Sequence, residues 1–223
     1  MEITKDPSVK KDDMYRVIAD EFRQAGMPDE AEKALLKVME TKQTTEEKAE
    51  LWRIIADTFL KSGNLDQAEA RFNEALKLNP KDEASLGWLA AIYAKRGGTE
   101  NKDAPAVPEA LDKALAYMDQ VIALNPDYPF TYINKRIVMA KYQMHEMKQA
   151  EIAELEAKEA KGKKKKDEAL AKAAEHRKKA DEYGAQFQDL TTKFTEAQKK
   201  AKEKKAAAEA AAAQQQQAAP APK

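Results

Sequence analysis

Only two imidazoles, His145 and His176, occur in the 223 residues, and there is no cysteine. The run His145-Glu146-Met147-Lys148-Gln149 stops one residue short of a zinc site. That site needs two imidazoles one helical turn apart, and an amide stands in the second place. His145 is therefore expected to be a solvated side chain and His176 a packed one. Gly162-Lys163 is not a phosphate-binding loop, because no glycine precedes it at the required distance and no Ser or Thr follows. Neither a Gly-x-Ser-x-Gly elbow nor a dinucleotide fingerprint is present. Carboxylates are plentiful but scattered, so no pair stands out as acid and base. No catalytic residue, cofactor or metal ligand is expected, and the chain is not read as an enzyme. Lys163 to Lys166 would suit phosphates, but no aromatic side chains interleave for stacking, so no nucleic-acid partner is expected.

The elements that carry these residues are repeated helices. Met14 to Gly26 aligns with Leu51 to Gly63 at a constant offset of 37 residues, matching Arg, Ile, Ala, Asp, Phe and Gly. Asp29-Glu30-Ala31-Glu32 then aligns with Asp66-Gln67-Ala68-Glu69. A third copy starts 34 residues after the second, with Leu86, Leu89, Ala90, Tyr93 and Gly97 in place of Trp52, Ile55, Ala56, Phe59 and Gly63. Spacings of 3, 1 and 3 put these residues on one helical face. A second helix follows in each unit, with Ala68, Phe72 and Ala75 on one face and Pro80 ending it. Gly26 and Gly63 fall where the first helix must turn, a position that favours a left-handed residue. Thr44 and Glu47 make a capping box for the second copy.

This pattern resembles the tetratricopeptide repeat. Residues 49–82 carry its motif positions Trp52, Ile55, Ala56, Phe59, Gly63, Ala68, Phe72, Ala75 and Pro80 in a 34-residue frame. Residues 12–48 are a looser copy. Residues 83–126 are a third copy, interrupted by a surface loop from Gly97 to about Pro108. A fourth first helix opens at Pro129 with Tyr132 in the large position, but Lys135 occupies a slot usually apolar. The resemblance implies an all-α, helix–turn–helix solenoid of about three repeats over 12–128, serving as a scaffold for protein–protein contacts. It further implies a peptide or helix held in a concave groove lined by the first helix of each copy. The groove positions are Arg16, Asp20 and Gln24; Arg53, Asp57 and Lys61; and, further along, Trp88, Lys95 and Tyr132. Arg16–Asp20 and Arg53–Asp57 are i,i+4 pairs able to neutralise each other. The Lys and Asn of the chaperone-binding carboxylate clamp are missing from these positions, so chaperone C-termini are not expected ligands.

Residues 129–212 read as a long helical hairpin turning near 161–166, with Asp167-Glu168 at the start of its second helix. Ala173, Ala180, Phe187, Phe194 and Ala201 are seven apart, interleaved by His176, Tyr183, Leu190 and Ala197. That is a coiled-coil seam. It has two readings, an intramolecular hairpin and a homo-oligomer self-associating through 130–212. Residues 213–223, rich in Ala, Gln and Pro, read as a disordered tail of bacterial character.

Composition agrees with stacked amphipathic helices, since 35% of residues are charged and 7% aromatic. Net charge is +0, yet residues 1–140 hold 20 basic against 25 acidic side chains and residues 141–205 hold 18 against 13. The longest apolar run, Trp88 to Ala94, cannot span a bilayer. Met1 to Lys5 lacks the apolar core of a signal peptide, so the chain as it stands reads as cytoplasmic. Removal of a leader ahead of it would make it a periplasmic or cell-envelope protein.

Overall fold

The computed structural model describes residues 11–42 and 44–218, with side chains placed for 13–42 and 44–212. These residues form eight α-helices: α1 (Lys11–Gln24), α2 (Pro28–Met39), α3 (Thr45–Lys61), α4 (Leu65–Leu78), α5 (Glu83–Arg96), α6 (Pro108–Leu124), α7 (Pro129–Glu159) and α8 (Lys163–Ala218). No strand occurs among the described residues, and no helix is long and apolar enough to cross a membrane. The chain forms two compact units, Met1–Ile92 and Tyr93–Lys223. That division falls inside α5, whereas the repeat pattern places the end of the array at 128. The reason is that α6 packs against α7 and shares a core with it and α8.

In the first unit α1 pairs with α2 and α3 with α4. The motif positions Ile55, Ala56, Phe59, Ala68, Phe72 and Ala75 are all buried, as are Leu86, Leu89 and Ala90 of α5. Local chemistry sets the helix ends. Thr44 caps α3 by accepting from the Glu47 amide, and the Glu47 carboxylate accepts from the Thr44 amide. The Asn64 side chain caps α4. Pro28 opens α2, where its missing N–H costs nothing. Gly26 and Gly63 have φ of 70° and 81°, and the amides around them bond back in one pattern. Met27 N–H reaches Phe22 O, and Asn64 N–H reaches Phe59 O.

The third copy uses the same device one residue later than the alignment places it. Thr99 N–H bonds to Ala94 O, and the left-handed residue is Gly98, with φ of 84°, not Gly97. Gly97 serves packing instead, since a Cβ there would lie 2.2 Å from Leu111 Cδ2. The following insertion is an organised loop. Lys141 of α7, only 5% exposed, donates from Nζ to the carbonyls of Asn101, Lys102 and Ala104 at 2.9, 3.2 and 2.6 Å. Lys135 forms an ion pair with Asp119, which accounts for a cation at that position.

In the second unit α7 and α8 form an antiparallel hairpin. Tyr142 stacks on Tyr183 at 4.8 Å, Glu146 meets His176 Nδ1 at 2.6 Å, and Glu154 accepts from Arg177. The coiled-coil seam faces α7, with Ala173, Ala180, Leu190 and Ala197 buried. His176, expected as a packed side chain, is half-buried and held by that contact. Two expectations are corrected. The turn is confined to 160–162, where Gly162 takes φ of 100°. Lys163 to Lys166 are already the first turn of α8, because lysine is a good helix former and nothing blocks propagation back to the glycine. α8 also runs past Ala213 to Ala218, since Ala and Gln extend a helix until Pro220 approaches. Residues 219–223 of the expected disordered tail, and Met1 to Lys5, lie outside the described residues.

Candidate functional site

The repeat brings one face of α1, α3 and α5 around a pocket of about 460 Å³ in the first unit. Arg16, Asp20, Arg53, Asp57 and Trp88 all line it. Helical periodicity explains the gathering, because residues three and four apart share a face and the 37-residue offset repeats that face. Gln24 and Lys61 border an adjoining pocket with Asp20, Arg23 and Thr58. Lys95 belongs to the second unit and pairs with Glu100 at 3.1 Å.

Tyr132 is not a groove residue. It is 7% exposed, packs with Met139, Leu190 and Ala197, and donates its hydroxyl to Pro126 O at 2.8 Å. α8 lies over it, so the large position of the fourth copy is filled by the chain's own extension.

The expected pairs Arg16–Asp20 and Arg53–Asp57 do not form. Asp20 accepts from Arg23 at 2.8 Å, and Arg23 also reaches Asp57 at 3.6 Å. Lys61 binds Asp57 at 2.6 Å. Arg53 pairs with Asp82 at 3.3 Å. A carboxylate four residues before a cation is the favoured order on a helix, and Asp57–Lys61 has it while Arg53–Asp57 has the reverse. Asp82 is fixed by capping α5, where it accepts from the Ser85 amide at 3.0 Å. Arg53 thus ties one repeat to the next. Arg16 keeps no hydrogen-bond or ion-pair partner among the described residues.

Two of these participants were not legible as site residues. Arg23 corresponds to Leu60 in the second copy, so alignment of the copies hides it. Asp82 lies between helices in sequence, and only its cap geometry reveals it.

The pocket is mixed in character. Ile54, Leu35, Phe72 and Ala84 form apolar walls, and Trp88 stacks on Phe72 with centroids 6.5 Å apart while remaining 44% exposed. Three guanidinium groups face two aspartates. Neither histidine lines it. Among the described residues no group of three His, Cys, Asp or Glu side chains is placed to hold a metal.

The tetratricopeptide repeat family matches residues 49–92, the span containing most of α3, all of α4 and most of α5. Residues 49–92 carry a tetratricopeptide repeat. Among curated proteins none matches it in sequence. Solved tetratricopeptide-type structures resemble it at a distance. A tetratricopeptide repeat protein from Parabacteroides merdae is 19% identical, with a TM-score of 0.47 over 83% of this chain and 67% of that one. MamA from Desulfovibrio magneticus RS-1 is 17% identical, with a TM-score of 0.46 over 82% and 97%. Scores at that level carry no argument about what this chain does.

Proposed function

We propose that the protein is an interaction scaffold whose first unit holds a peptide segment of a protein partner across α1, α3 and α5. The carrying observation is Arg16, a guanidinium with no hydrogen-bond or ion-pair partner among the described residues, beside the half-exposed face of Trp88 in one pocket. A carboxylate of the ligand meets Arg16, and a neighbouring apolar side chain lies on the Trp88 ring. Paired Arg23 and Arg53 frame the site and hold the repeats in register. Charge-assisted hydrogen bonds supply direction and the exposed ring supplies contact area, the combination common to binding hot spots. A tetratricopeptide repeat supports this reading because the module serves protein contacts. The pocket volume is also within the range of about 300–1,000 Å³ usual for ligand sites.

The test is a peptide-display selection on the full chain, followed by affinity measurements on Arg16→Gln and Trp88→Ala. Enriched peptides should carry an acidic residue next to an apolar one. Each variant should weaken them by about tenfold or more. Peptides that bind both variants as tightly as the parent chain would refute the groove.

A further inference from the structure

The hairpin of α7 and α8 ends in a basic protrusion. Tyr142 of α7 meets the start of α6, and a pocket beside the insertion loop reaches along α7 as far as Glu151. Beyond that point the two helices close on each other through small side chains. Ala153 and Ala157 of α7 and Ala169 and Ala173 of α8 are all buried. From Glu151 to Glu159 this adds roughly 12 Å of helix. At its end stand Lys158, Lys161 and Lys163 to Lys166, every one of them exposed.

Positive charge is in excess there. From Lys158 to Glu168 there are six lysines against three carboxylates, in a chain whose net charge is +0. Among the described residues none of the six has an ion-pair partner. Further along α8, by contrast, Arg177, Lys178 and Lys179 are each paired with a glutamate. α8 begins with no acidic residue in its first turn, so its dipole adds to the local positive potential. Four lysines in that turn weaken the helix they begin, so stability of the fold does not account for them. Exposed aliphatic side chains accompany the charge. Lys163, Lys166 and Leu170 share a face of α8 through spacings of 3 and 4. Leu170 is 45% exposed, and Leu155 of α7 is 56% exposed.

We propose that the hairpin tip docks on a lipid surface bearing anionic headgroups. Clustered lysines are drawn to the negative potential of such a surface, and each ammonium group near it strengthens attachment severalfold. Exposed aliphatic side chains beside the charge add contact with the acyl boundary, the combination that interfacial segments present. A protruding tip also fits a flat, extended surface. Nucleic acid carries phosphates too, but no aromatic side chain lies between Lys158 and Leu170 to stack on a base. The site lies in the second unit, and it stands or falls independently of the Arg16–Trp88 pocket.

Co-sedimentation of the full chain with vesicles is the test. The vesicles hold roughly one part phosphatidylglycerol to two of phosphatidylcholine, and pure phosphatidylcholine vesicles serve as the neutral control. The chain should pellet with the anionic vesicles, less as salt rises, and not with the neutral ones. One variant combines Lys163→Gln, Lys164→Gln, Lys165→Gln and Lys166→Gln, which keeps good helix formers in place. It should bind the anionic vesicles about a hundredfold more weakly. A second variant removes the same charge from the far part of α8 through Lys199→Gln, Lys200→Gln, Lys202→Gln and Lys204→Gln, and should change binding by less than about threefold. Circular dichroism melts check that both variants are folded. The proposal is overturned if the chain pellets with neither vesicle or equally with both, if the tip variant binds like the parent, or if the far variant loses as much as the tip variant. Binding to a DNA duplex at least as tight, per phosphate, as to the anionic vesicles would make the tip a nucleic-acid contact and overturn it too.

Discussion

In the second unit the buried phenol of Tyr142 ties α7 to α6 and α8. Tyr142 donates its hydroxyl to Asp112 at 2.5 Å, with Pro108 O 2.9 Å away as a second acceptor at the start of α6, and stacks on Tyr183. Burial first, then the Asp112 hydrogen bond, raise the Tyr142 phenol pKa above its ordinary value, and burial raises that of Tyr183 as well. In a folded chain such phenols keep their protons to higher pH than in the unfolded chain. Their contribution is complete below about pH 10, the ordinary phenol value, and is lost as pH rises past it toward the raised folded value. Tyr142→Phe should cost about 1–2 kcal/mol at neutral pH, because Asp112 loses its donor. It should also lose less stability than the parent between about pH 9 and about pH 11. Urea titrations at both pH values measure this, and equal alkaline losses in the two proteins would show that the phenol is not responsible.

Among the elements, the helix ends are set by a few residues whose effect depends on their surroundings. Gly26, Gly63 and Gly98 share one backbone conformation, yet their neighbours differ. A Cβ at Gly26 would meet nothing within 4 Å, whereas one at Gly98 would lie 2.7 Å from Pro105 O. Gly26→Ala should therefore cost only its unfavourable φ, about 1 kcal/mol. Gly98→Ala should cost about 2 kcal/mol or more, because the loop backbone must also move. Urea unfolding of both variants compares them, and equal losses would mean that the loop yields freely. The start of α8 shows the opposite balance. Four lysines occupy the positive end of the helix dipole, each with a small unfavourable effect, and the helix still begins at Lys163. Long side chains reaching solvent and the pairing of α8 with α7 outweigh it.

For the molecule as a whole, the two compact units each hold their own core and their own groove. Basic side chains concentrated after residue 140 are partly matched within the second unit. Arg177 pairs with Glu154, and Lys200 and Lys204 pair with Asp127. The Lys204 and Lys200 hydrogen bonds hold the Asp127 carboxyl below its usual range. The coiled-coil seam packs against α7 of the same chain. Sedimentation equilibrium should give a single species near 25.0 kDa. A stable dimer abolished by truncation after about Asp127 would support the self-associating alternative.

The helices, their repeat and their first-unit core were legible because periodicity is a local property. Trp52, Phe59, Ala68 and Phe72 recur at spacings that only a paired helix can bury. Gly26, Gly63 and the Thr44–Glu47 box announced their ends without reference to the rest of the chain. Arg16, Asp20, Arg53 and Asp57 recur at the same offset of 37, and they line one pocket. Their ion pairing does not follow from that offset, because an arginine chooses among carboxylates by distance, and Asp82 and Arg23 are brought near only by packing of one repeat on another. Tyr132 was misplaced for a related reason. Its position in the repeat was right, but burial depends on what covers a face, and α8 supplies that cover from some sixty residues away. Arg136 and Lys141 looked like ordinary surface cations in sequence. Folding set one on Phe187 and the other among three loop carbonyls, and neither arrangement can be read from spacing along a single helix.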